Sequence, residues 1–199
     1  CPHCGYDGAR GDQCDNCGRT LDPIDLVEPR STLSGATPEP RETEHYFILL
    51  PKLADDLQTW LESREGWRNH VINWALGFVR EGLLERAITR DISWGIPLPP
   101  GYDLPGGDKR IYVWFEAVIG YLSAAKEWAQ QQGDPEAWRA WWEHPDAESY
   151  YFIGKDNIPF HAVFWPSYLI GYNGGLHEEG LNLPTDVPAN QYVTFKGEK

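Results

Sequence analysis

SYYFIGKDNIPFHAVFWPSYLIGY, residues Ser149–Tyr172, is the stretch that decides how this chain is read. A short apolar run, Tyr150–Gly154, ends in a glycine. A charged, amide-bearing break follows at Lys155, Asp156 and Asn157, and then a second apolar segment carries His161 and Trp165 four residues apart. The first run predicts a strand and the second a helix, with Pro159 tolerated in its first turn. In a parallel sheet the ligand crevice lies beyond the C-terminal strand ends, so the polar break belongs at the mouth of such a crevice. The glycine spacing of a phosphate-binding P-loop is absent there. Asp156 is instead placed to accept hydrogen bonds from sugar hydroxyls.

Working outward, Ile111–Phe115 (IYVWF) predicts a second buried strand, running into an amphipathic helix. Asp134 and Pro135 open a short helix, and Asn190–Lys199 predicts a last strand. This alternation of strand and helix predicts an α/β fold built on a parallel sheet. Further upstream, Leu53, Leu57, Trp60 and Leu61 share one helical face, Gly66 breaks that helix, and a second runs over about 67–80. The stretch from Asp22 to Pro51 predicts short strands cut by Pro and Gly, a small β-rich insert. Near the two strand ends, Trp114, Ala117 and Tyr121 on one side and His161 and Trp165 on the other can line one aromatic pocket with an imidazole and a phenol. Each of these residues alone reads as core more readily than as ligand; their convergence at two neighbouring strand ends is what raises the pocket reading.

All four cysteines, Cys1, Cys4, Cys14 and Cys17, lie within the first 17 residues as two C-x-x-C pairs separated by nine residues. Gly5 and Gly18 follow the second and fourth cysteines, where the backbone must turn sharply. Four thiolates at this spacing suit a tetrahedral, closed, structural zinc site. Two disulfides are the competing reading. They need an oxidising compartment, and a bond inside C-x-x-C closes a loop too small to help much. His3 and His45 are ordinary residues on this reading.

Composition narrows the classes. The 199 residues are 41% hydrophobic and 24% charged, which permits a sizeable core. The net charge of −13 argues against a general nucleic-acid binder, since phosphate contact needs Lys and Arg. No apolar run reaches membrane-spanning length. The absence of methionine, and a start at Cys1, lead us to expect an internal piece of a longer protein.

Five stretches, ARGDQCDNCG (9–18), SGATPEPRETEHYF (34–47), AITRDISWGIPLP (87–99), IYVWFEAVIGY (111–121) and YFIGKDNIPFHAVFWP (151–166), together resemble the methionyl-tRNA synthetases, a family of class I aminoacyl-tRNA synthetases. The resemblance runs in order over essentially the whole chain. It implies the C-terminal half of a Rossmann-type catalytic domain plus a small zinc-knuckle insert. Residues 1–48 would be the insert, 49–88 a helical joint and 89–199 the catalytic half, ending where Lys199 opens a KMSKS-type loop. The family's HIGH motif would lie outside the chain.

By the same resemblance, Trp114, Ala117, Val118, Tyr121, Asn157, His161 and Trp165 form the methionine side-chain pocket. Gly154, Asp156 and Val193 contact ATP, Arg90 and Lys199 serve catalysis, and Cys1, Cys4, Cys14 and Cys17 hold Zn²⁺. Glu116 stands where many members have Asp. The implied partners are L-methionine, ATP with Mg²⁺ and tRNA(Met), in the cytoplasm, with no membrane and no DNA. Two other readings compete: a class I synthetase for leucine, valine, isoleucine or cysteine, and a non-enzymatic zinc module that binds RNA or protein.

Overall fold

The computed structural model describes residues 1–10 and 12–191, and the chain divides into two compact units, Cys1–Thr43 and Glu44–Lys199. In the first unit, β1 (Asp12–Gln13) and β2 (Thr20–Leu21) form an antiparallel hairpin with Asp12 opposite Leu21. A single 3₁₀ turn, Pro23–Asp25, follows, opened by Asp22, whose carboxylate accepts from the Ile24 N–H at 3.1 Å. The expectation of a β-rich insert is corrected here. Beyond this hairpin, the described residues up to Thr43 form turns and irregular chain. Pro23, Pro29, Pro38 and Pro40 explain it, because each removes a ladder donor and locks φ.

The second unit is helical at its centre. α1 (Ala54–Glu62) begins with Asp55 and Asp56, which complement the positive end of the helix dipole. It buries Leu57, Trp60 and Leu61. It ends where the Ser63 hydroxyl donates to the Trp60 carbonyl at 2.7 Å, and Gly66 then turns the chain at φ 80°. α2 (Asn69–Arg80) turns Val71, Ala75, Leu76 and Val79 into the same core. Each fully buried Val or Leu side chain contributes roughly 1.5–3 kcal/mol by leaving water, and Ala75 less.

Short strand pairs tie this core to the chemistry-bearing turns. β3 (Phe47–Ile48) runs antiparallel to β4 (Arg86–Ala87), and β5 (Thr89–Arg90) antiparallel to β6 (Arg110–Ile111). After β6 come α3 (Val113–Glu116), α4 (Gly120–Gln131) and α5 (Arg139–Trp142). β7 (Ile153–Gly154) then pairs in parallel with β8 (Ala189–Asn190), extended by a bridge between Tyr150 and Asp186.

The strand expected over Ile111–Phe115 is not one. The chain leaves β6 at Ile111 and is helical from Val113, with Phe115 and Glu116 N–H groups both donating to the Tyr112 carbonyl. A five-residue apolar run does not reveal by itself whether it is strand or buried helix. Here Val113 and Trp114 are exposed, so the double-sided burial of a central strand is missing. Among the described residues β7–β8 is the one parallel pair, and the strands form four two-stranded ladders. The expected parallel sheet, read as the C-terminal half of a Rossmann-type catalytic domain, is therefore corrected to the coarser statement of an α/β fold. Of the last expected strand, β8 covers Asn190, and residues 192–199 lie outside the described residues.

From Pro159 to Phe164 the backbone is π-helical: the Trp165 N–H reaches back five residues to the Phe160 carbonyl. α6 (Trp165–Asn173) continues it and stops at Gly174, whose φ of 92° is the left-handed cap that glycine adopts without penalty. The expected helix is thus present, with a widened first turn. Such turns are rare and occur often at functional sites.

Candidate active site and metal centre

In the first unit the hairpin presents one C-x-x-C turn and residues 1–4 present the other. The Gly5 N–H donates to the Cys1 carbonyl at 3.0 Å and the Gly18 N–H to the Cys14 carbonyl at 2.8 Å. Both glycines sit near φ 70°, at 73° and 72°. These two turns bring all four Sγ atoms within 4.8 Å of one another. Cys1 and Cys17 Sγ are 4.0 Å apart, and Cys4 and Cys14 Sγ 3.8 Å. Tetrahedral zinc with Zn–S bonds near 2.3 Å requires sulfurs about 3.8 Å apart, whereas a disulfide requires about 2.05 Å. All four thiols are free. The Asn16 side chain, 3.5 Å from Cys4 Sγ, and the Tyr6 backbone pull the Cys4 thiol down to about 7, towards the thiolate that a metal needs. At Cys17 the Arg19 backbone favours the thiolate, but burial and the sulfurs of Cys14 and Cys4 outweigh it and hold the thiol up. A bound cation would reverse that balance. The four cysteines can hold a metal such as zinc. His45 lies in the other unit, where its Nδ1 is 2.9 Å from Thr89 Oγ1 and its Nε2 3.6 Å from the Asp91 carboxylate.

In the second unit the π-helical turn, α4 and the extended chain leading into β7 converge on one aromatic cluster. His161 is buried. Its Nδ1 is 3.0 Å from the Asn157 carbonyl, and its Nε2 is 2.8 Å from the Tyr121 hydroxyl. A carbonyl only accepts, so Nδ1 carries the proton and donates to Asn157. Burial pushes the imidazolium pKa down, so the ring is neutral and Nε2 is an acceptor. The Tyr121 O–H therefore donates to Nε2, and the chain of groups runs Tyr121 O–H to His161 to Asn157. Its one proton free to turn elsewhere is the tyrosine's.

Around this chain, Trp114 stacks on Phe160 at 5.0 Å and 25°. Tyr151 lies edge-on to Tyr121 at 5.2 Å and against His161 at 5.7 Å. The Trp165 indole N–H donates to the Tyr151 hydroxyl oxygen at 3.0 Å. Val118 is buried, while Ala117, Trp114 and Tyr121 remain exposed. The cluster is thus an apolar wall, open on one side, with two polar links set into it: the Tyr121–His161–Asn157 chain and, behind it, the Trp165–Tyr151 hydrogen bond.

The polar turn after β7 sits beside this wall. A Cβ built on Gly154 would lie 2.7 Å from Asp156 Oδ1, so the carboxylate folds back into space that only glycine leaves open. Gly154 also faces Asn190 across the parallel pair. Arg90 is placed differently: its guanidinium donates to the Ala87 and Thr89 carbonyls at 2.9 and 2.8 Å and stacks over Tyr112 at 3.9 Å. These contacts brace the β4–β5 turn against the start of α3. Val193 and Lys199 lie outside the described residues.

Tyr151 and Phe160 were not among the residues singled out from the sequence. For Tyr151 the sequence offers no signal, because Tyr150, Tyr151 and Phe152 are all aromatic; only the structure distinguishes them, leaving Tyr151 8% exposed between Tyr150 at 50% and Phe152 at 75%.

A family described as "tRNA synthetases class I (M)" matches the chain over residues 1–199. The chain belongs to this family, the methionyl-tRNA synthetases. The methionine--tRNA ligase of Thermomicrobium roseum is 55% identical over 200 residues, covering 100% of this chain and 33% of that protein. That of Thermoplasma acidophilum is 54% identical over 200 residues, covering 100% of this chain and 35% of the relative. Among solved structures, Mycobacterium tuberculosis methionyl-tRNA synthetase in complex with methionyl-adenylate superposes with a TM-score of 0.65 at 26% identity, covering 90% of this chain and 33% of that one. The chain therefore spans about a third of the length of the curated relatives it matches. These similarities support a class I synthetase-like fold. They do not carry the finer assignment to the C-terminal half of its catalytic domain, which we withdraw. No helix among the described residues is long and apolar enough to cross a membrane.

Proposed function

We propose that the protein to which this chain belongs is a methionine--tRNA ligase and that residues 89–199 carry its methionine side-chain pocket. The observation that carries the reading is the Tyr121–His161–Asn157 chain set into an aromatic wall. Methionine is unbranched, and its polarisable sulfur packs well against aromatic rings. Its sulfur is a weak acceptor, and the Tyr121 hydroxyl is the group able to turn a proton towards it. Trp114, Ala117, Val118 and Trp165 would complete the apolar contact, with His161 and Asn157 holding the hydroxyl in place. Gly154 and Asp156 would take the ribose of ATP, with Val193 against the adenine and Lys199 and Arg90 serving the reaction. ATP would enter as its Mg²⁺ complex.

In the reaction, the methionine carboxylate attacks the α-phosphate of ATP, forming methionyl-adenylate and expelling pyrophosphate. A hydroxyl of the terminal ribose of tRNA(Met) then attacks the carbonyl carbon and expels AMP. This chain's own contribution is positioning: it fixes the side chain and the ribose, so that the carboxylate and the phosphate meet in line. Cys1, Cys4, Cys14 and Cys17 would hold a structural Zn²⁺, which supplies a cross-link between the two C-x-x-C turns and no chemistry. Residues 1–48 would be the insert, 49–88 a joint and 89–199 the part carrying the site. Protein synthesis in the cytoplasm is the setting that goes with this reading.

The test is amino-acid-dependent pyrophosphate exchange with the full-length protein, comparing methionine with leucine, isoleucine, valine and cysteine. Exchange with methionine well above the others is expected. A preference for leucine, or no exchange with any, would reject it.

A further inference from the structure

We infer that Tyr151 is a positioning residue for the methionine pocket, acting through the indole of Trp165. The inference rests on the methionine reading above and deepens it. Trp165 is buried, and an indole N–H in such a place needs an acceptor. Tyr151 supplies it at 3.0 Å. The same phenol ring is the shared neighbour of Tyr121 and His161, at 5.2 and 5.7 Å. One side chain therefore touches three members of the proposed pocket from behind, by an edge-on contact, a tilted ring contact and a hydrogen bond.

The strand explains why it can hold still. The Tyr151 N–H donates to the Asp186 carbonyl at 3.0 Å, and the parallel ladder of β7 and β8 follows directly. Trp165, by contrast, stands at the junction of the π-helical turn and α6, where helical geometry changes. On its other side it meets Trp142 edge-on at 6.0 Å, a contact that restrains the ring's tilt without offering an acceptor. The hydrogen bond from Trp165 to Tyr151 thus ties the variable element to the regular one. Without it, the indole would be free to rotate about its side-chain torsions to find another acceptor, and the pocket wall would change shape. Tyr151 faces none of this through substrate contact.

The test uses the full-length enzyme and three variants. Tyr151→Phe keeps the ring and removes the acceptor. The expected result is a rise in KM for methionine of about 3- to 10-fold, the span of one intramolecular hydrogen bond, with kcat and the KM for ATP within twofold of wild type. Trp165→Phe removes the donor, and in that background adding Tyr151→Phe should raise the methionine KM by less than twofold, because the two substitutions break one bond. Tyr150→Phe, next along the strand and exposed, should leave the methionine KM unchanged. If Tyr151→Phe lowers the Tm and leaves the methionine KM unchanged, or if the two effects multiply in full, Tyr151 is a packing residue and the inference fails while the methionine reading stands. If the wild-type enzyme does not use methionine, both fall together.

Discussion

His161→Ala separates a pocket residue from a core residue. In the structure His161 makes two hydrogen bonds, to the Asn157 carbonyl at 3.0 Å and from the Tyr121 hydroxyl at 2.8 Å. Each neutral bond of this kind is worth about 0.5–1.5 kcal/mol, so the pair amounts to roughly 1–3 kcal/mol. That is the expected loss in kcat/KM for methionine, because the Tyr121 hydroxyl is no longer fixed against the pocket. Neither partner is stranded by the change: Tyr121 is exposed and Asn157 half-buried, so water can replace the imidazole. The fold should therefore survive. The assay is methionine-dependent pyrophosphate exchange by the full-length enzyme, with thermal unfolding measured in parallel. The expected pattern is a 5- to 150-fold drop in kcat/KM for methionine, at about 1.4 kcal/mol per tenfold, with the KM for ATP little changed. A sharply lower Tm with unchanged methionine kinetics would refute the reasoning and leave His161 a satisfied core histidine.

Three further outcomes follow from the same geometry. Purified, tag-free protein should contain one zinc per chain, and Cys14→Ser should release it and unfold the hairpin unit first. Less than half an equivalent of metal, or two disulfides by mass, would overturn this. Asp156→Ala should raise the KM for ATP more than that for methionine, the reverse of His161→Ala. Gly154→Ala should imitate it more weakly by displacing the carboxylate now 2.7 Å from the added Cβ position, and a methionine-selective defect from either would contradict the ribose assignment. The pKa of His161 is depressed by burial, so the unfolded chain binds the extra proton first. Stability should be full above the ordinary histidine value of 6.5, fall as the pH drops below it, and level off below the folded-state pKa. His161→Gln should flatten this part of the urea-midpoint profile between pH 7 and 5. His45 shifts the same way for the same first reason and would keep part of the slope.

Local pattern alone carried a good deal of this protein. The two C-x-x-C pairs with their glycines predicted a four-sulfur cluster, because ligand spacing and φ > 0 turns are local properties, and the sulfurs do converge. The face made by Leu57, Trp60 and Leu61 predicted α1, because helical periodicity is written into consecutive residues. His161, Tyr121 and Trp165 could be picked out as candidates for one pocket. What they do to one another could not. A local carbonyl, that of Asn157 four residues back, fixes the tautomer, but only tertiary structure buries the neutral ring and brings the Tyr121 hydroxyl to its free nitrogen. It also turned Val113–Phe115, the end of the expected strand, into the helix Val113–Glu116, because a five-residue apolar run satisfies either conformation and only its neighbours choose. Tyr151 was hidden for a related reason. Its importance lies in three ring and indole partners from other elements, and no spacing within the chain encodes contacts that folding alone brings together.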